Sequence, residues 1–323
     1  MLLCYAVYIL CLEIFLGGIE ILMKRGNLMK NFFHGVCMGT FEVVPGISGG
    51  TLAVLLNIYD KLIMAVSHIR DDFKNSVKYL LPIVLGMVFG IFTFSYVILF
   101  LNQNYPMETN FLLLGLIVGL IPMILGRAVG SKLKVVNTVP FFVMFAFMIF
   151  IICMSLTVGA NNDIMTDVNL FDFIKLIFVG ALSSFCLLLP GCSGTMIMLV
   201  FGVYYSVMNA IHSFNILLLL PLGIGIIIGL LLGSKAVEFF FNKFPKATYF
   251  GILGLIVGSA ISPCLGYLKS VVNIANNLSL TTDNMSNANY FVLHGVISVI
   301  VLMFGMTFSY LFTQKSKEID MKK

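Results

Sequence analysis

Charge is what this chain has least of. Only 10% of its 323 residues are Asp, Glu, Lys or Arg, against about 25% in a soluble domain, which is too little to cover a water-facing surface. Paired cysteine motifs are absent as well. Cys4, Cys11, Cys37, Cys153, Cys186, Cys192 and Cys264 lie in apolar stretches with no CxxC spacing. They read as buried thiols packing as small hydrophobes, not as a disulfide scaffold, a metal site or a redox pair. There is no Arg-rich transit peptide, and residues 1–23, which carry Glu13 and Glu20, are too long and too acidic for a cleavable signal. What remains is apolar: 60% hydrophobic residues and a mean hydropathy of +1.06, arranged in runs of the 18 or more residues that cross a bilayer as a helix. A soluble enzyme and a nucleic-acid binder are excluded. The chain reads as an all-α polytopic membrane protein.

The apolar segments run over about 2–23, 79–101, 111–130, 138–158, 215–234, 248–268 and 290–312. Two more, 32–66 and 173–212, are broken by Pro45-Gly46-Ile47-Ser48-Gly49-Gly50-Thr51 and Pro190-Gly191-Cys192-Ser193-Gly194-Thr195. Proline removes a backbone donor and glycine tolerates dihedrals that a helix does not use, so neither stretch continues as a helix.

The two breaks are copies. At a spacing of 145 residues Phe33, Gly35, Pro45, Gly46, Ser48, Gly49 and Tyr59 match Phe178, Gly180, Pro190, Gly191, Ser193, Gly194 and Tyr204. At a spacing of 139, Pro82, Gly86, Gly90, Pro106 and Thr109 match Pro221, Gly225, Gly229, Pro245 and Thr248, and the run LGLIVG recurs intact at 114–119 and 253–258. Ordered Pro and Gly matches do not arise from hydrophobicity alone, so about 33–120 is duplicated onto 178–260. The GxxxG spacings at Gly86/Gly90, Gly115/Gly119, Gly225/Gly229 and Gly254/Gly258 read as close helix packing.

Sidedness follows from the basic residues. If each broken segment is a re-entrant hairpin, three crossings separate the copies, and they are inverted. That topology puts 17 of the 19 Lys and Arg residues on the cytoplasmic side and leaves only Lys175 and Lys269 outside. If each broken segment spans, the basic residues divide almost evenly. An arm of about 13 residues rises about 20 Å, enough to reach the bilayer middle but not to cross. The expected architecture is two inverted repeats, each a re-entrant helical hairpin followed by two transmembrane helices. It divides into 1–31, an N-terminal apolar helix and basic linker; 32–137, repeat 1 with hairpin 32–66; 138–172, a connecting helix and external loop; 173–268, repeat 2 with hairpin 173–212; and 269–323, an external loop, a last helix and a basic cytoplasmic tail.

Irregular backbone at membrane depth survives only when buried in protein or lining a polar cavity, and two tips entering from opposite faces should meet near the midplane. With second arms starting at Thr51 and Thr195, the tips offer N–H groups and the hydroxyls of Ser48, Thr51, Ser193 and Thr195. Gly49, Gly50 and Gly194 allow close backbone approach. This combination favours an anion, phosphate above all. Glu42, three residues before the first break, is costly at that depth and a functional candidate. It is either a proton carrier or a hydrogen-bond orienter for the tip, and its counterpart in the second copy is Leu187. Asp60 and Lys61, about 15 Å along the second arm, read as interfacial anchors. Arg127 reads as a topology anchor before a phosphate guide and stays among the candidate substrate residues. His34, His68, His212 and His294 lack ligand spacing and read as packing or interfacial residues.

The run Gly39 to Ile63 (GTFEVVPGISGGTLAVLLNIYDKLI), with its echo Leu189 to Ile211 (LPGCSGTMIMLVFGVYYSVMNAI), resembles the bacterial polyprenyl-phosphate transporter family over about residues 32–312. The resemblance implies translocation of undecaprenyl phosphate, the lipid carrier of cell-wall synthesis, from the outer leaflet to the inner leaflet of the bacterial plasma membrane. No cofactor, enzyme activity or nucleic-acid partner is expected; the expected partners are the polyprenyl-phosphate lipid and the bilayer, and the cost of bringing the anion inward against an inside-negative potential suggests a coupling proton shared with Glu42. The C-terminus is expected in the cytoplasm, and the oligomeric state is open. Segment 2–23 lies outside the family pattern and is either an extra helix or a consequence of an upstream start codon. Two rival readings fit the same residues. A transporter of a small water-soluble anion needs an aqueous path through the protein. An intramembrane serine hydrolase is suggested by the GxSG runs at Gly46–Gly49 and Gly191–Gly194, with His294 on a later helix. The serine motif is duplicated and no histidine is, which argues against the hydrolase.

Overall fold

The computed structural model describes residues 27–42, 48–129, 138–158, 169–278 and 294–311. Segment 2–23, the Pro45-Gly46-Ile47 part of the first break and the basic C-terminal tail lie outside the described residues. Thirteen helices are described, in two similar series. The first comprises α1 (Asn27–Glu42), α2 (Gly49–Leu55), α3 (Tyr59–Ser67), α4 (Phe73–Asn104), α5 (Pro106–Val129) and α6 (Val139–Val158). The second comprises α7 (Leu170–Leu188), α8 (Gly194–Val200), α9 (Tyr204–His212), α10 (Ile216–Lys243), α11 (Pro245–Ser259), α12 (Ile261–Leu278) and α13 (His294–Leu311). Seven stretches have the length and hydropathy of a membrane span: Phe73–Thr93, Pro106–Val129, Val139–Thr157, Leu170–Leu188, Ile216–Lys243, Pro245–Leu268 and His294–Leu311. The protein is an all-α, multi-pass membrane protein.

Two expectations are corrected. The first arms are longer than 13 residues: α1 has 16 and α7 has 19. At 1.5 Å per residue, α7 extends about 28 Å, so by length alone it reaches across a bilayer. The second arms are not continuous helices, and their helical segments begin at Gly49 and Gly194. Each stops after seven residues and restarts as a nine-residue helix, with α8 and α9 bent by 115°. The cause is a Schellman ending built twice. Asn57 (φ 57°) and Gly202 (φ 67°) take the left-handed conformation. Ile58 N–H donates to Ala53 O and Val203 N–H to Met198 O, both at 3.0 Å, while Asn57 and Gly202 donate to the carbonyls three residues back. Asn and Gly are the residue types that accept this conformation at the position just past a helix.

The duplication is visible as repeated contacts. α1 lies along α4, and α7 lies along α10. A methyl on Gly86 would overlap Phe32 O, and one on Gly90 would overlap Val36 O; at the matching positions Gly225 abuts Ile177 O and Gly229 abuts Ala181 O. The same side-chain-free rows bring both helix pairs to backbone contact. The α4–α5 and α10–α11 corners are also built alike. Thr109 Oγ1 donates to Tyr105 O and Leu101 O, and Thr248 Oγ1 donates to Phe244 O and Phe240 O.

The two LGLIVG helices form the middle. Leu113, Ile117, Leu120 and Ile124 of α5 pack with Phe250, Ile252, Leu253 and Ile256 of α11 in one buried cluster. Each of these helices then takes its outer partner from the other series. α6 packs on α11, with Phe141 O against Gly254, and α13 packs on α5, with Leu302 O against Gly115. The halves are therefore laced together by an exchange of their last helices.

Candidate functional site

The two broken segments meet. Gly191 of the second tip (φ 90°) donates its N–H to Ser48 Oγ at 3.1 Å and to Thr51 Oγ1 at 2.9 Å. These hydroxyls are 3.2 Å from one another, and Ser48 Oγ also caps α2 by accepting from Thr51 N–H at 3.3 Å. Gly50 sits on the end of α7, where an added methyl would lie 3.3 Å from Leu187 O. Tyr59 OH donates to Leu188 O at 2.8 Å. In the second tip Ser193 Oγ and Thr195 Oγ1 are 2.7 Å apart, and Ser183 Oγ donates to Gly194 O at 2.6 Å. Ser48, Thr51 and Ser193 are all buried. Ser48, Gly49, Gly50 and Thr51 thus come together with Gly191, which leads directly into Cys192, Ser193, Gly194 and Thr195.

Two N–H groups of the first tip, expected to face an open cavity, are occupied. Thr51 N–H is held by Ser48, and Gly49 N–H donates to Glu42 Oε2 at 2.7 Å. Glu42 on α1 thus touches the start of α2. The tips are closed on each other, with every hydroxyl bonded.

Arg127 is not at the tips. Its guanidinium donates to Asn57 Oδ1, lies 4.0 Å from Asp60 Oδ2 and sits over the Tyr249 ring at 5.8 Å from the centroid. It ties the elbow of the first broken arm to α5 and α11. Asp60, read as an anchor, is Arg127's ion-pair partner.

Sequence reasoning missed three features. Gly191 was passed over although it matches Gly46. Tyr59 was seen only as a repeat match. Glu108 was not singled out, and His294 was read as packing, yet the two are hydrogen-bonded and buried at the starts of α5 and α13. The available signal for the last was a lone acid and a lone histidine, each leading into a glycine-bearing span.

One consequence is local. Tyr59→Phe leaves Leu188 O without its donor in a buried place, at a cost of about 1–2 kcal/mol. Thermal unfolding in detergent should show this loss, and a smaller one for Tyr204→Phe at the matching position.

The chain is also similar to known proteins. A polyprenyl-phosphate transporter of Staphylococcus aureus is 31% identical over 251 residues, covering 75% of this chain and 88% of that protein. A polyprenyl-phosphate transporter of Vibrio cholerae serotype O1 is 26% identical over 251 residues, covering 73% of this chain and 77% of that protein. No solved structure matches the chain significantly. The family described as undecaprenyl phosphate translocase-like matches residues 38–279, the stretch that contains both tips and both LGLIVG helices. The chain belongs to that family.

Proposed function

We propose that this protein carries a polyprenyl phosphate, such as undecaprenyl phosphate, across the bacterial plasma membrane, from the outer leaflet to the inner, by alternating access around the facing tips. The observation that carries the proposal is the donation of Gly191 N–H to the hydroxyls of Ser48 and Thr51. The contact is made only of groups that suit a phosphate. A headgroup oxygen takes the Gly191 N–H in place of the hydroxyls, and the hydroxyls of Ser48, Thr51, Ser193 and Thr195 then donate to the other oxygens. Gly49, Gly50 and Gly194, packed here against Glu42, Leu187 and Ser183, offer bare backbone to the headgroup once the tips part, and the isoprenoid tail stays in lipid.

The distribution of Lys and Arg supports an inverted pair of re-entrant hairpins with a cytoplasmic C-terminus, and the repeated α1–α4 and α7–α10 contacts support a two-fold design. The family's transporter relatives, and the bonding of Ser48 and Ser193 hydroxyls to threonines and not to a histidine, favour a non-catalytic role.

A phosphate monoester carries a charge of about −1.5 to −2. Moving it inward against an inside-negative potential costs about 2.3 kcal/mol per charge per 100 mV, so a coupling ion is required for accumulation. Glu42, which touches the tip through Gly49, is the proposed proton carrier. Glu42→Gln should abolish the response of transport to a pH gradient; an unchanged response refutes the proton role.

The direct test is leaflet transfer of a fluorescent short-chain polyprenyl phosphate in proteoliposomes, read by an external membrane-impermeant phosphatase. Transfer should depend on the protein and fall tenfold or more in Ser48→Ala/Ser193→Ala. Transfer equal to empty vesicles with folded protein refutes the lipid reading in favour of a small-anion transporter.

A further inference from the structure

The two halves differ where each first arm meets its long helix. In the second half this seam is lined by apolar side chains. Leu176 and Val179 of α7, Val203, Val207 and Leu218 form a buried apolar cluster. The matching positions in the first half are Asn31, His34, Ile58, Leu62 and Tyr79, so three apolar side chains are replaced by polar ones. His34 is 4% exposed, and its Nδ1 has no hydrogen-bond partner. The Tyr79 hydroxyl is likewise buried and unpartnered. Both lie along one contact, marked on α1 and α4 by Asn31 Nδ2 donating to Tyr79 O at 3.4 Å and by Gly35 against Ile83. The charged groups whose fields reach the His34 ring are both cations, Lys30 and Lys61. Lys61 is on α3, which packs on α4, and its counterpart is Ser206.

Two orphaned polar groups in one seam are costly to keep buried, and the other half shows that the fold closes the same seam with Val and Leu. We infer that the first-half seam is a phosphate-monoester site, separate from the tips, in which His34 Nδ1–H and Tyr79 O–H donate to phosphate oxygens and Lys30 and Lys61 supply the charge. Its position at the base of the first broken arm makes it a docking point for a headgroup on its way to or from the tips. The source of the phosphate as a lipid rests on the proposed function. The site itself does not.

The test is 15N NMR of histidine-labelled protein in lipid nanodiscs, with the His34 signals identified by their loss in His34→Val. Geranylgeranyl phosphate, inorganic phosphate and geranylgeraniol are titrated separately. Geranylgeranyl phosphate should move the His34 Nδ1 signal saturably, and geranylgeraniol should not. Movement by inorganic phosphate at matched concentration supports the phosphate site with free phosphate as the source. If neither phosphate moves His34, the site is refuted, and leaflet transfer in the same nanodisc-grade protein, reconstituted in vesicles, reports separately on the proposed function. The variant His34→Val/Tyr79→Leu installs the residues that the second half already packs, so it should fold. It should weaken binding of the active phosphate tenfold or more, and unchanged affinity also refutes the site.

Discussion

Gly86→Ala and Gly225→Ala should each destabilise the protein by about 3 kcal/mol or more, whereas Gly126→Ala and Gly223→Ala should not. All four glycines lie inside long helices, where alanine is intrinsically the better residue by about 1 kcal/mol. What separates them is space. A methyl at Gly86 falls on Phe32 O and one at Gly225 falls on Ile177 O, in each case onto the backbone of the neighbouring helix. A flexible side chain would swing aside; a carbonyl inside a helix moves only with the helix. Nothing lies within 4 Å of a methyl at Gly126 or Gly223. Overpacking a tight core costs about 1–3 kcal/mol even where side chains can yield, and here α1 or α7 must back away along its whole length. Because those helices carry the tips, loss of transfer should accompany loss of stability. Thermal unfolding in detergent, read alongside leaflet transfer, checks both. Equal melting temperatures for Gly86→Ala and Gly126→Ala would contradict the crossing.

The same glycines explain why so much of the fold was legible in the sequence. A position that must be side-chain-free is written as Gly, so a repeated backbone crossing shows as Gly86/Gly90 and Gly225/Gly229 at one spacing. Repeated helix corners show in the same way as Pro106/Thr109 and Pro245/Thr248. The broken second arms were also written, as Asn57 matching Gly202, but as two residue types that share a conformation and not an identity. They are therefore invisible to a search for identical letters. The meeting of the tips was inferred from topology, whereas its bonding was not legible. Gly191 lies 140 residues from Thr51 and bonds through its backbone, which no side-chain pattern reports. The occupancy of Gly49 N–H by Glu42 has the same origin, since the donor is main chain. The partners of Arg127 were not legible because Asn57, Asp60 and Tyr249 come from the elbow of the first broken arm and from α11, and only the packing of these around the end of α5 brings them within reach.

Glu108→Ala and His294→Ala should each cost about 1–3 kcal/mol, the range for breaking a buried hydrogen-bonded pair. Both side chains are buried, 3% and 7% exposed, and His294 Nδ1 is hydrogen-bonded to Glu108 Oε1. The pair joins the first turn of α5 to the start of α13, so it fastens a helix of the second series onto the first. In the reciprocal exchange, α6 on α11, the position matching Glu108 is Ala247, and Phe141 and Met148 lie against Gly254 and Gly258. Removing either member breaks a buried hydrogen bond. Removing both should therefore cost less than the sum. In a double-mutant cycle with Glu108→Leu and His294→Leu, the coupling should exceed about 1 kcal/mol, as expected for residues in direct contact. Additive losses would mean that the pair is a packing coincidence. A clear coupling would make α13 docking the step on which the stability of the first half depends, with transfer falling in the single variants and partly restored in the double.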